Sequence, residues 1–437
     1  MDTNERHKTK DLAPRRRLLV ISPWASRWSL GEGAGVSDDH HFIEKLTKSG
    51  YEIHLVVPAV HPPSDSPLNG LYVHTYANFF RVTEGWPTAL KRILWPPLFN
   101  MIVTPKALAV GRSVKPHFVL GHSHYSSFPC FVVRKSLRVP GGVKLFGVMD
   151  LVHAEWPKAK YYFKNLEQIV AFKIPQDVWI ILDDGTRGRE AAMRHGVAEE
   201  RIRFLPNGIN VEWADLPRDA RSARDELGIP VESTVVLFLA RLVPSKRPEL
   251  FLRAAKLVIE RTPRPVVFVI AGDGPSRENC ERLAGTLGLG RAVHFTGTVD
   301  HAKVPALMHG SDIFVSTSSL TNMAIPTCEA MVCGLPVAGF DVGTTRDAII
   351  DGETGFAVPD GDVGELARVI ARLVDDEQLR RRMGESSRVR AREIFTGWDQ
   401  RVEEEIRIIE DLLRSDGRKK NGDANETSPA GRAHSSR

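Results

Sequence analysis

Short apolar runs rich in β-branched residues recur along this chain, each followed by a loop and then a segment of helical period. Thr234 to Ala240, TVVLFLA, is the clearest of them: near-continuous hydrophobicity without polar alternation marks a strand buried on both faces, as in a parallel sheet. RPELFLRAAKLVIE behind it spaces its apolar residues as a helix does. Further strands are read in RRLLVISP, YEIHLVVP, LYVHTYA, PHFVLGHS, VKLFGVM, DVWIILDD and DIFVSTS, with helical segments between them. Strands that alternate with helices point to parallel sheets with both faces covered.

At 437 residues and 42% hydrophobic content, one sheet of this kind would be unusually large, and the chain can bury two cores. Two Rossmann-like, doubly wound domains are therefore expected. The first covers 1–205 and the second 234–395. LPNGIN, Leu205 to Asn210, opens an interdomain linker over 206–233 with a Pro-Asn-Gly turn suited to a hinge. After Ser415 the sequence is polar without apolar periodicity, so 415–437 is expected to be a disordered tail.

Composition excludes several classes. Four cysteines, Cys130, Cys280, Cys328 and Cys333, lack paired motif spacing, so neither disulfides nor a zinc site is expected. No apolar run reaches the roughly 18 residues that span a bilayer, and MDTNERHKTKDLAPRRR has no signal-peptide core, so a cytoplasmic location is expected. A formal net charge of +5, with 54 acidic residues interspersed, makes no demand for nucleic acid. Gly85 to Arg112 stands apart: it mixes Trp86, Trp95, Phe99, Ile102 and Val103 with Lys91, Arg92, Lys106 and Arg112. That composition suits peripheral contact with a membrane surface or a hydrophobic acceptor, and equally a buried helix with basic ends that Pro96 and Pro97 interrupt.

The chemistry-bearing residues lie after the strands. Arg241 and Lys246 fall in a strand-to-helix loop, where a guanidinium and an ammonium five residues apart suit two adjacent phosphates, unless they only cap a solvated loop. Glu329, early in the helix TCEAMVC, either accepts from a ribose diol or is a favourable charge near a helix N-terminus. Gly31, Gly33 and Gly35 follow the first strand without the G-x-G-x-x-G spacing, so a nicotinamide cofactor is not expected. The loop either brings backbone close to phosphate or is simply flexible. Asp150 and His153 are the polar groups of GVMDLVHAEW, which follows a strand.

These residues carry a resemblance. GDGP at Gly272 to Pro275, FTG at Phe295 to Gly297 (with Thr296), the Arg-x4-Lys pair, EAMVCGLPV and DGETGF at Asp351 to Phe356 resemble, in order, the C-terminal domain of GT-B glycosyltransferases of the retaining family 4. The match runs from Val235 to about Arg392 and is weak before that. The resemblance implies two Rossmann-like domains facing across a cleft, with residues 396–414 forming a helix that crosses back to the first domain. It implies transfer of a sugar from a nucleoside diphosphate to a hydroxyl acceptor, in cell-envelope glycan or glycolipid synthesis, at the inner face of the membrane. Arg241 and Lys246 would stabilise the departing diphosphate. Asp150 and His153 would touch the transferred sugar, although Met149 stands where relatives have histidine. Gly33, Gly35, Gly272, Gly274, Thr296, Gly297, Thr321, Asn322, Met323, Ala324 and Glu329 would contact the donor. Fixed positive charge on the leaving group replaces what a divalent ion would supply, so neither metal nor cofactor is required. Thr321 stands where the family has its first glutamate, with Asn322 and Ala324 at the glycine positions. This leaves a degenerate relative that binds without transferring as the alternative.

Overall fold

The computed structural model describes residues 16–23, 37–59, 68–77, 88–151, 156–183, 185–216, 220–320 and 325–426. Seven strands form the first sheet: β1 (Arg17–Ile21), β2 (Glu52–Pro58), β3 (Leu71–Tyr76), β4 (Phe118–His122), β5 (Gly141–Leu145), β6 (Val178–Asp183) and β7 (Ile202–Pro206). All are parallel, in the order β3-β2-β1-β4-β5-β6-β7. Between them run α1 (Ser37–Lys48), α2 (Thr88–Val114), α3 (Ser127–Leu137), α4 (Lys158–Phe172) and α5 (Gly188–Arg194). Leu19 and Ile21 of β1 enter one core while Leu18 and Val20 enter the other, which is why the strand reads as a continuous apolar run.

A short connection, β8 (Gly208–Ile209) and α6 (Ala220–Glu226), leads into the second sheet. Its elements are β9 (Thr234–Leu239), α7 (Pro248–Arg261), β10 (Val266–Ala271), α8 (Arg277–Thr286), β11 (Val293–Gly297), α9 (Val304–His309), β12 (Ile313–Ser316), α10 (Ile325–Val332), β13 (Val337–Phe340), α11 (Thr345–Ala348), β14 (Gly355–Val358), α12 (Val363–Asp375) and α13 (Glu377–Ile394). The order is β11-β10-β9-β12-β13-β14, again all parallel. The connections run outward from β9 through β10 to β11, then return to β12 on the other side of β9. The carboxyl ends of β9 and β12 thus flank a topological switch point, the place where open parallel sheets bind ligands.

The chain then returns to the first domain. β15 (Thr396–Gly397) pairs with β8, and α14 (Trp398–Glu426) lies against the first sheet and α1. Gly208, read from sequence as a hinge turn, owes its identity to packing: a Cβ there would sit 2.2 Å from Trp398 Cε3. Lys45 pairs with Asp399 at 2.7 Å, Arg16 with Glu410 at 3.0 Å, and the Tyr51 hydroxyl donates to Glu410 at 2.9 Å. Deepest is a fully buried charge cluster. Lys144 Nζ of β5 lies 2.9 Å from Glu405 Oε2, Arg401 pairs with the same carboxylate, and the ammonium sits 4.6 Å from the Phe42 ring centroid.

Three expectations change. α2 continues through Pro96, Pro97 and Pro105 for 27 residues, because Trp95, Phe99, Val103 and Ala107, spaced four apart, are all buried in the core. Its stretch Ile93–Val114, with mean hydropathy 1.3, is long and apolar enough to cross a bilayer, yet that buried row fixes it to the domain. The final helix extends beyond the expected Arg414 to Glu426, and the remaining tail lies outside the described residues.

Burial alone would raise the Glu405 carboxyl, but Lys144 and Arg401 hold it below the ordinary range. Its contribution is therefore present at neutral pH and lost as pH falls through the depressed value. Glu405→Ala leaves two buried cations without a counter-charge and is expected to cost about 3–5 kcal/mol in urea denaturation at pH 7. A loss below about 1 kcal/mol would refute that dependence.

Candidate functional site

Four loops converge at the carboxyl edge of the second sheet, and backbone contacts set their positions. After β9 the chain runs through Arg241 to a 3-10 turn at Pro244–Lys246. The loop after β10 grips it: Leu242 N–H donates to Asp273 O at 2.9 Å, and Ser276 N–H donates to Leu242 O at 3.0 Å. Gly272 makes this approach possible, since a Cβ on it would fall 2.1 Å from Ala240 O, and its φ of 129° is one that glycine tolerates. Gly274 is just as close to Leu242 O, at 2.4 Å. Gly272 N–H also donates to Gly297 O at 2.8 Å, which ties in Thr296 and the end of β11. The glycines of GDGP and FTG are thus explained by the closeness of backbone to backbone.

On its other side the Arg241 loop is fastened to the chain leaving β12. Ser319 N–H donates to Ser245 O at 2.9 Å, and the Thr317 hydroxyl reaches Lys246 O at 2.8 Å. Arg247 completes the latch, a role not legible beforehand. Its guanidinium donates to Thr317 O and Ser318 O, both at 2.8 Å, pairs with Asp360 at 2.5 Å, and lies 4.8 Å from the Phe340 ring centroid. The only available signal was a third cation in SKRP. Arg241 is exposed and has no hydrogen-bond or ion-pair partner among the described residues, while Lys246 is half-buried. Arg241 and Lys246 thus belong to a loop that is fixed on both sides.

Glu329 lies in the second turn of α10 and is buried. Its Oε1 accepts from Asn210 Nδ2 at 2.6 Å, so the carboxylate engages the segment that connects the two domains. Burial pushes its pKa up to about 8 against the opposing Asn210 hydrogen bond. Asp150, expected near the transferred sugar, is fully buried past the end of β5. Its Oδ1 accepts from the Tyr161 hydroxyl and sits 2.8 Å from His195 Nε2, with Arg194 3.8 Å from Oδ2. Burial and the adjacent carboxylate raise the Tyr161 phenol to about 12. Tyr161 lies 11 and His195 45 positions from Asp150, and no motif joins the three. Gly33, Gly35, His153, Thr321, Asn322, Met323 and Ala324 lie outside the described residues.

Residues 219–390, which carry this converging set, match the family described as glycosyl transferases group 1. Over these residues the second domain is similar to the group 1 glycosyl transferases. The α-D-kanosaminyltransferase of Streptomyces kanamyceticus is 32% identical over 210 residues, 48% of this chain and 54% of that protein. A D-inositol 3-phosphate glycosyltransferase of Catenulispora acidiphila is 31% identical over 204 residues, 45% and 48% respectively. The chain thus spans about half the length of the curated relatives it matches. In three dimensions the similarity covers both domains. Sucrose-phosphate synthase from Thermosynechococcus elongatus superposes with a TM-score of 0.70 at 18% identity, covering 92% of this chain and 100% of that one. Anabaena HepE in complex with UDP-glucose gives 0.68 at 17%, covering 90% and 99%. The fold is that of the GT-B glycosyltransferases.

The raised Glu329 pKa makes a signed prediction. From the ordinary carboxylate range up to about 8 the folded state keeps a proton that the unfolded state has lost, so stability falls as pH rises. Glu329→Gln abolishes that dependence. Thermal melts should show the variant gaining on wild type between pH 5 and pH 8, and an unchanging difference would refute the raised value.

Proposed function

We propose that the protein is a retaining glycosyltransferase of family 4 type, moving a sugar from a nucleoside-diphosphate donor to a hydroxyl acceptor for cell-envelope glycan or glycolipid synthesis. The observation that carries this is the doubly latched loop that holds Arg241 and Lys246 beside the switch point of a group 1 glycosyltransferase domain. Solved relatives that hold UDP and UDP-glucose support a nucleoside diphosphate sugar as donor.

Departure of the sugar builds negative charge on the β-phosphate while the sugar carbon takes oxocarbenium character. Positioned cations on the leaving group lower that barrier most. Arg241 offers planar two-point donation and Lys246 a compact charge. In this scheme the acceptor hydroxyl attacks on the face that the diphosphate leaves, and the departing phosphate takes its proton, so retention needs no protein nucleophile. Glu329 accepts from the donor's ribose, and Asp150, held by Tyr161 and His195, fixes the loop next to the sugar. Metal and cofactor are not required in this scheme, because the two cations serve the leaving group. Arg241→Ala and Lys246→Ala are each expected to lower turnover at least about tenfold, near 1.4 kcal/mol, with unchanged melting temperature. Wild-type turnover in a folded double variant would overturn the assignment.

Work at the inner membrane face is part of the same reading. α2 contains Lys91, Arg92, Lys106 and Arg112 and no acidic residue. Trp95, Phe99 and Val103 point into the core, while Ile93 and Met101 are 61% and 71% exposed. Basic residues beside exposed apolar ones suit an anionic interface. Ile93→Glu combined with Met101→Glu should abolish flotation of the protein with anionic liposomes. Undiminished flotation would remove this surface from the membrane role.

A further inference from the structure

Between α2 and α4 lies a groove of about 270 Å³ that the donor chemistry does not use. Its apolar walls come from Ile93 and Pro97 of α2, Phe128 of α3, and Phe163, Leu166 and Val170 of α4. Four of these, Phe128, Phe163, Leu166 and Val170, are between 43% and 55% exposed, a high apolar exposure for one helix and its neighbour. Sites that enclose a whole small ligand run to roughly 300–1,000 Å³, so this one takes part of a molecule.

The groove also has a polar set. The Tyr125 hydroxyl donates to Glu167 Oε2 at 2.6 Å, and His124 Nε2 stands 3.6 Å from the same oxygen, beyond hydrogen-bond reach. Asn100 Oδ1 is buried and has no hydrogen-bond partner among the described residues. Buried polar atoms in native proteins are nearly always satisfied. A hydroxyl donating to Asn100 Oδ1 would satisfy it, whereas a phosphate would meet the Glu167 carboxylate as a like charge. The site is at the active end of the first domain. His124 and Tyr125 directly follow β4, and Glu167 is six residues along α4 from Tyr161, roughly 9 Å on the helix axis.

We propose that this groove binds the hydrocarbon chain of an amphiphilic acceptor whose hydroxylated head lies toward Glu167 and Asp150. This deepens the glycosyltransferase reading and rests on it: the acceptor is a lipid alcohol or glycolipid taken from the membrane surface that α2 meets. Apolar walls hold the chain, and Glu167, Asn100 and His124 orient the neighbouring hydroxyls.

Calorimetric titration with monomeric n-decyl β-maltoside, below its micelle concentration, tests it on the full chain. One saturable site is expected, with Kd raised at least tenfold by Leu166→Glu and unchanged by Val231→Glu, a 70% exposed residue of the other domain. Maltose alone should not bind. No saturable binding to folded wild-type protein, equal binding to the Leu166→Glu variant, or equal affinity for maltose would each overturn the groove assignment. A parallel melt with UDP-, GDP- and ADP-glucose separates the two readings, since a bound donor stabilises the fold. Donor stabilisation without amphiphile binding sinks the groove alone, and the reverse pattern sinks the transferase reading while the groove stands.

Discussion

A fully buried lysine, arginine and glutamate fasten the last helix of this molecule to its first domain. Lys144 belongs to the fifth strand of the first sheet, and Glu405 and Arg401 to a helix that the chain reaches only after completing the second sheet. Burying three charges is costly, and a hydrophobic replacement of similar volume is often as stable. What the charges add is selectivity of position. A leucine-rich helix slides by a turn at small cost, but a carboxylate that must meet Lys144 has one register. The Trp398 ring seated over Gly208 and the two-residue pairing of β15 with β8 define the same crossing from the other end. The first domain is therefore discontinuous in sequence, and the spatial relation between its sheet and the linker follows from that closure.

The donor side is built differently, from backbone. Loops after four neighbouring parallel strands are joined by amide-to-carbonyl bonds, and glycines remove the side chains that would hold them apart. Side-chain identity matters at few places there: Arg247 as the fastener and Glu329 against Asn210. A loop placed by its own backbone can vary in side-chain sequence without losing its position.

Much of this was legible beforehand, for identifiable reasons. Buried parallel strands write themselves as apolar runs, so eight strands and the two-sheet plan followed from the pattern of TVVLFLA and its counterparts. The GDGP and FTG glycines stood out in the sequence, but spacing cannot say that Ala240 and Gly297 carbonyls are what Gly272 meets. β7 was not read as a strand because IRFLP is short and alternates poorly at a domain edge. The prolines of α2 misled because local propensity argued for a break, whereas a buried row from Trp95 to Ala107 outweighed it. Clusters assembled from distant segments, Asp150 with Tyr161 and His195, or Lys144 with Glu405, leave no local trace at all. Charge complementarity between residues 261 positions apart is a property of the fold.

The prolines of α2 have one more consequence. Pro97 and Pro105 have no N–H to give to the carbonyls one turn earlier, and those carbonyls belong to Ile93 and Met101, which are also the helix's two most exposed apolar side chains. A carbonyl left without a donor in hydrocarbon would cost several kcal/mol. On the proposed membrane face the two prolines would therefore limit depth: apolar side chains on a backbone better kept within reach of water.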